Sequence, residues 1–530
     1  MATERRPNRR KNAGFMLDNQ TLLILVGVLS AVLVVLLVIG GSLVNNDTTD
    51  PGNDALNNSG SIGSSSSSTP DSTGSTGTPG SSAATQPSSS VATQPSSTPA
   101  TTPTPVTPSG GNYVDVGSGY IVEVIQANVE TFDGDTTDDY SHPTNNYLPE
   151  GTVDYCKRDP VWGSTKYVLL RSGHRVYMEK KVYPFEEEPI SRLVAEVKQY
   201  DGYLPDHNEI GVVSLQTVGR HSVLTLDSLW KAPFYFETNQ SGYANPNGGR
   251  DRDYAVSSNN ATYIDITFCY TTVFTGTVTI PANHPLFKSA EIIKNESDYT
   301  LRLHLRKAGA LYGWHAYYND NDQLCFQFLN PAKVSAADNK YGVDLSGTTI
   351  MIDVGHGGVD GGAVAKDATG KEWDEAALNL SLANALKAEL ESAGATVIMN
   401  RYDDSPININ NRLRDLMEKS PDICIAIHQD ANDSKSVRGF TSYYFTPWTQ
   451  LLAKNVRENT KDSNVYSKTT LRWSVNYFMC RQTVCPVLLT ENGFMSNAED
   501  LAAMIDPVSV QNKAAAIAQG VADYFLDINK

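Results

Sequence analysis

The last third of this chain, residues 342–530, reads as an α/β fold, a mixed sheet covered by helices on both faces. Three observations predict it. Short apolar runs alternate with helical patterns from Tyr341 to Lys530, as in a sheet layered by helices. One run, Thr349–Asp353, stops abruptly in a turn with glycines at 355, 357 and 358. A helix follows, Trp373–Ser392, with Ala376, Leu380, Ala383, Leu386 and Leu390 on one stripe and an end near Gly394. A turn in that place sits at the carboxyl edge of the sheet, where open α/β folds bind ligands.

The remaining elements follow the same logic. Ala395–Asn400, Asp422–His428, Gly439–Phe445 and Val487–Glu491 are short apolar runs of buried-strand character. Ile409–Glu418, Pro447–Asn459 and Val508–Phe525 carry helical spacing. Residues 112–341 instead read as a β-rich accessory module. YIVEVIQA from Tyr120 and TYIDITFCYTTVFTGTVTI from Thr262 are strand patterns, and Asn319–Asp322 between two apolar-aromatic runs marks a hairpin. One amphipathic helix is expected around Ile190–Val197. Seven of the nine histidines fall in this module without metal-ligand spacing, as ordinary strand and loop residues.

Further upstream, residues 45–111 are dominated by Ser, Thr, Pro, Gly and Asn. They have too little to bury to offset the entropy of ordering, so a disordered tether is expected. Residues 21–44 hold no charge and are long enough for a membrane helix. Arg5, Arg6, Arg9, Arg10 and Lys11 precede them in a basic tail, residues 1–20. Basic flanks stay cytoplasmic, so the bulk of the chain is expected outside the cytoplasm behind an uncleaved, single-pass anchor.

Composition sets limits. At 530 residues and 40% hydrophobic content the chain can build more than one core. A net charge of −17 excludes a protein that coats nucleic acid electrostatically. Six cysteines in this length are no disulfide framework. Cys424 is expected as a buried thiol, while the spacing of Cys480 and Cys485 leaves a hairpin disulfide open.

Four residues carry chemistry. His356 lies in the glycine turn, Glu375 at the start of the following helix, and His428 and Glu491 at strand ends, so all four can meet at one edge. Two imidazoles and one carboxylate with an open position suit a catalytic zinc ion, Zn²⁺. A second carboxylate off the metal, Glu491, suits proton transfer. Glu372 is the rival to Glu375.

The stretches VGHGGVDGG, EAALNLSLANAL, AIHQDA and PVLLTENGFMSN occur in this order. Together they resemble the type-3 zinc-dependent N-acetylmuramoyl-L-alanine amidases, from Thr348 to about Phe525. The resemblance implies His356, Glu375 and His428 as zinc ligands and Glu491 as the catalytic carboxylate. It implies peptidoglycan as partner and cleavage between the muramyl lactyl group and L-alanine by zinc-activated water. It favours Glu375 over Glu372 through the distance to Asn379-Leu380. Arg401 matches a family arginine whose role the sequence leaves open. Val354 stands where proline is usual, and Gln429 where a small residue is common. The competing expectations are a catalytically silent wall-binding protein and a zinc peptidase acting on the stem peptide.

Overall fold

The computed structural model describes residues 113–132, 143–156, 167–177, 179–180, 192–193, 195–240, 251–252, 259–474 and 477–530. The expected membrane segment at 21–44 and tether at 45–111 lie outside them. Among the described residues no helix is long and apolar enough to cross a membrane.

Before the C-terminal sheet the regular elements among the described residues are strands. Tyr113–Val124 pairs with Val153–Tyr155 and with Ala195–Pro205, and a four-stranded sheet gathers Pro143–Leu148, Val129–Phe132, Arg175–Tyr177 and Tyr167–Leu169. Of the helix expected around Ile190–Val197, residues 190, 191 and 194 lie outside the described residues, and the described ones, 192–193 and 195–197, are strand instead. Ala195–Pro205 is an 11-residue strand running antiparallel along Tyr113–Val124, and this long ladder overrides a short local helical pattern.

From Asn208 two sheets pack face to face. One orders Thr271–Thr275, Asn208–Val218, His221–Ser228, Leu324–Leu329 and Trp314–Tyr318. The other orders Phe234–Thr238, Tyr263–Phe268, Tyr299–Leu305 and Phe287–Lys294. Alternation does the sorting: Ser222, Leu224 and Leu226 face inward on one sheet, and Ile264, Ile266 and Phe268 on the other. Phe236 stacks on Trp314 at 3.7 Å between ring centroids, at the heart of this core. The Asn319–Asp322 turn joins Trp314–Tyr318 to Leu324–Leu329, as expected.

The C-terminal sheet has seven strands. In chain order its main elements are β1 (Thr349–Val354), α1 (Glu375–Ser392), β2 (Thr396–Met399), α2 (Ile409–Lys419), β3 (Ile423–Asp430), β4 (Phe440–Tyr444), α3 (Gln450–Asp462), β5 (Thr469–Ser474), β6 (Val487–Phe494), α4 (Ala498–Ile505) and α5 (Pro507–Ile528). Across the sheet the order is β5–β4–β6–β3–β1–β2, with Asp251–Arg252 paired outside β5. The strands β2, β1, β3 and β6 run parallel, and β4 is antiparallel to β6, so the sheet is mixed.

Three helices, α1, α3 and α5, bury Leu386, Val456 and Ile517 against one face with Ile350, Ile425 and Leu488. The other face departs from expectation. Among the described residues α2 is the main α-helix on it; Met351, Cys424 and Val487 continue into the β module's own core through Trp314, Phe326 and Phe328. Polar bonds fasten the same seam. Arg481 pairs with Glu130 at 2.8 Å with both side chains buried, and Tyr147 Oη donates to the Arg481 carbonyl at 2.6 Å. The Trp314 amide donates to the Thr483 carbonyl at 2.7 Å, and Arg220 pairs with Asp422 at 2.7 Å. Cys424, Cys480 and Cys485 are all buried free thiols, so the hairpin disulfide is absent.

Candidate metal centre and active site

The turn after β1 is shaped by what it must accommodate. A Cβ at Gly355 would lie 2.4 Å from the His428 ring, and one at Gly362 would lie 2.6 Å from Glu375 Oε2. Both positions are therefore closed to a side chain. His356 itself sits at φ 58, a conformation costly for a residue with a Cβ. Its surroundings fix it there. Nδ1 bonds Asp360 Oδ2 at 2.9 Å, and the His356 carbonyl accepts from Arg412 Nη2 at 3.2 Å.

Helix α1 begins where its cap dictates. Asp374 adopts extended backbone angles and its carboxylate accepts from the Ala377 amide, so Glu375 becomes the first helical residue. Glu375 is fully buried, and its carboxylate lies between the imidazoles. Oε2 is 3.2 Å from His356 Nε2, and Oε1 is 3.0 Å from His428 Nδ1. It also accepts from the Ala363 and Gln429 amides and from Asn379 Nδ2. Burial pushes this carboxyl up, but the two imidazoles outweigh it and hold it well below the usual carboxylate range. Glu372 is elsewhere. It lies exposed in the hairpin Val364–Lys366 with Glu372–Asp374, 3.7 Å from Lys366.

His428 is inaccessible to solvent, with its ring edge-on to His356 at 5.0 Å between centroids. One ligand atom from each of His356, Glu375 and His428 can be chosen so that all lie within 4.8 Å of one another. This donor set fits zinc: two imidazoles and one carboxylate, gathered in a buried cluster for which two glycines leave room. Glu491 is the register neighbour of His428 across β3 and β6, and is also buried. Asn492 next to it donates to the His428 carbonyl at 3.0 Å, which ties the two strand ends together.

The structure supplies a role for Arg401. Its guanidinium donates to the carbonyls of Val354, Gly355, Ala376 and Asp403, binding the glycine turn to the start of α1. Burial, with Arg412 nearby, lowers its pKa to about 10. Gln429 has a use as well: its amide nitrogen reaches Asn379 Oδ1 at 3.3 Å, bracing the residue that braces Glu375. Sequence reasoning gave no role at the site to Asp360, Asn379 or Arg412. Only Asn379 left a signal there, one helical turn after Glu375 on the same face. Arg412 forms a buried ion pair with Asp353 under the turn, a contact no local pattern announces.

Comparison with known proteins finds relatives of the C-terminal region. The family model for N-acetylmuramoyl-L-alanine amidase matches residues 350–523. A probable cell wall amidase LytH of Staphylococcus epidermidis is 32% identical over 218 residues, covering 41% of this chain and 69% of the relative. The probable cell wall amidase LytH of Staphylococcus aureus is 34% identical over 181 residues, 34% of this chain and 60% of the relative. Among solved structures, the catalytic domain of the amidase CwlV from Bacillus (Paenibacillus) polymyxa var. colistinus aligns with 34% of this chain and 99% of its own. It shares 26% identity at a TM-score of 0.32. The chain belongs to the N-acetylmuramoyl-L-alanine amidase family. It is an amide hydrolase of peptidoglycan, cutting between the N-acetylmuramoyl group and L-alanine.

Proposed function

We propose that this amidase works with one zinc ion held by His356, Glu375 and His428, and with Glu491 as its catalytic carboxylate. The observation that carries this reading is the buried cluster of three ligand atoms within 4.8 Å. When bound, zinc would supply Lewis acidity toward the scissile carbonyl oxygen and the attacking water. The protein's own groups do the rest. Asp360 orients His356 through Nδ1, leaving Nε2 directed at the cluster. Asn379 and the Gln429 amide hold Glu375 in one rotamer. Glu491, beside His428, takes a proton from the attacking water as the new C–O bond forms. It returns that proton to the alanine nitrogen as the C–N bond breaks.

The same proposal places the enzyme outside the cytoplasm, held by a helix at residues 21–44 and reaching the wall through residues 45–111. Support comes from the uncharged stretch and the five basic residues ahead of it. The metal test uses detergent-solubilised full-length protein. About one zinc per chain is expected, and His428→Ala should lose the metal and the release of stem peptide from muramyl peptides together. A His428→Ala protein with full zinc and full activity would reject the ligand set.

A further inference from the structure

Resting on the amidase reading, we propose a saccharide subsite for the substrate's glycan strand in the cleft between the loop after β2 and the first turns of α2. The cleft measures about 350 Å³, and its walls include Tyr402, Asp403, Asn411, Arg414 and Asp415, with Arg401 at its inner end. Its position ties it to the chemistry. The Gly358 amide donates to Asp404 Oδ1 at 2.9 Å, and Arg401 Nη2 and Nη1 reach the Gly355 and Asp403 carbonyls. The loop thus lies back to back with the turn that carries His356. In this proposal a glycan strand runs from the sugar at His356 along this loop, with its neighbouring sugars at the cleft.

The ligand class follows from the lining. Tyr402 is 61% exposed, yet its hydroxyl is pinned by the Met399 amide at 3.2 Å. The ring is therefore fixed in place before any ligand arrives, so little further ordering is lost on binding. A flat, rigid ring stacks on the apolar face of a pyranose, while the amide and ionic groups around it suit hydroxyl and acetamido groups. Charge argues in the same direction. Two carboxylates, Asp403 and Asp415, stand against two guanidiniums, Arg401 and Arg414, so the cleft has no excess charge to draw in an anionic stem peptide. An uncharged N-acetylhexosamine fits better.

The test combines binding and hydrolysis on the full-length protein. The binding probe is an uncharged tetrasaccharide of β-1,4-linked N-acetylglucosamine, titrated by NMR. Tyr402→Ala should weaken it roughly tenfold, and Tyr402→Phe, which keeps the ring and loses the pin, should weaken it less. In hydrolysis, the Tyr402→Ala loss of kcat/KM should grow with the number of sugars on the substrate and appear mainly in KM. A loss that tracks stem-peptide length instead would make the cleft a peptide subsite and overturn the proposal. Tetrasaccharide binding that ignores Tyr402 would overturn it too, even where hydrolysis proceeds normally. Tyr402-dependent binding by a protein that cleaves no muramyl peptide would uphold the subsite and reject the amidase reading.

Discussion

Glu491 and Glu375 are both buried carboxylates within one small site, yet they have different expected duties, and single substitutions separate them. Glu491→Gln keeps the side-chain volume but cannot accept a proton at neutral pH. The variant should hold its zinc and its fold while kcat falls about 10²–10⁴-fold, as for loss of a general base, with KM little changed. Metal analysis beside steady-state kinetics checks this; loss of zinc would make Glu491 a ligand. Glu375→Ala should lose the metal, whereas Glu372→Ala should stay active, because Glu372 is exposed and pairs with Lys366 away from the cluster. His356, Glu375 and His428, singled out in the sequence mainly through the family resemblance, are brought together by the fold, and Glu491 lies in register beside His428. The residues that hold them were harder to see. Asp360 is an ordinary loop aspartate until the turn folds it back onto His356 Nδ1.

The element that matters most is α1, because its first residue is a proposed ligand. Its start depends on Asp374, so Asp374→Ala should cost about 1 kcal/mol of stability and loosen Glu375. A lower denaturant midpoint together with weaker zinc retention would show both effects; an unchanged midpoint would mean the helix start is held by other contacts. Element prediction succeeded where apolar period and caps were strong, as in β1, α1 and β3. It failed where the element is defined by its neighbour. β5, TTLRWS, is too polar to announce a strand and is ordered by pairing along β4. The Ile190–Val197 expectation erred for the same reason, since the ladder to Tyr113–Val124 has no local signature.

For the whole molecule, the seam between β module and catalytic sheet holds two titratable rings. His221 Nε2 bonds Ser420 Oγ at 2.9 Å beside Arg220, and His315 is buried nearby. Burial lowers both to about 4, with Arg220 adding to the effect on His221 and His221 to that on His315. Both favour the neutral form when folded. Their contribution is fully present above the ordinary histidine value of 6.5 and fades as pH falls from there toward about 4. Chemical denaturation across that window should show the full-length protein losing stability. A His221→Gln, His315→Gln double variant should reduce the dependence, the buried His174, lowered to about 4 by burial as well, keeping part of it, and an unaltered slope would assign it elsewhere. The seam was the least legible feature of all: Arg481 and Glu130 stand 351 positions apart.

That seam also limits how portable the catalyst is. In many multidomain chains the catalytic part can be excised at a linker and moved to another host protein. Here a cut near residue 341 would strip the covering from Met351, Cys424 and Val487 and leave Arg481 without Glu130. A 342–530 fragment should therefore be recovered mainly as aggregate, while a fragment from residue 112 onward stays soluble and active. Gene fusions that borrow this amidase would have to carry the β module with it.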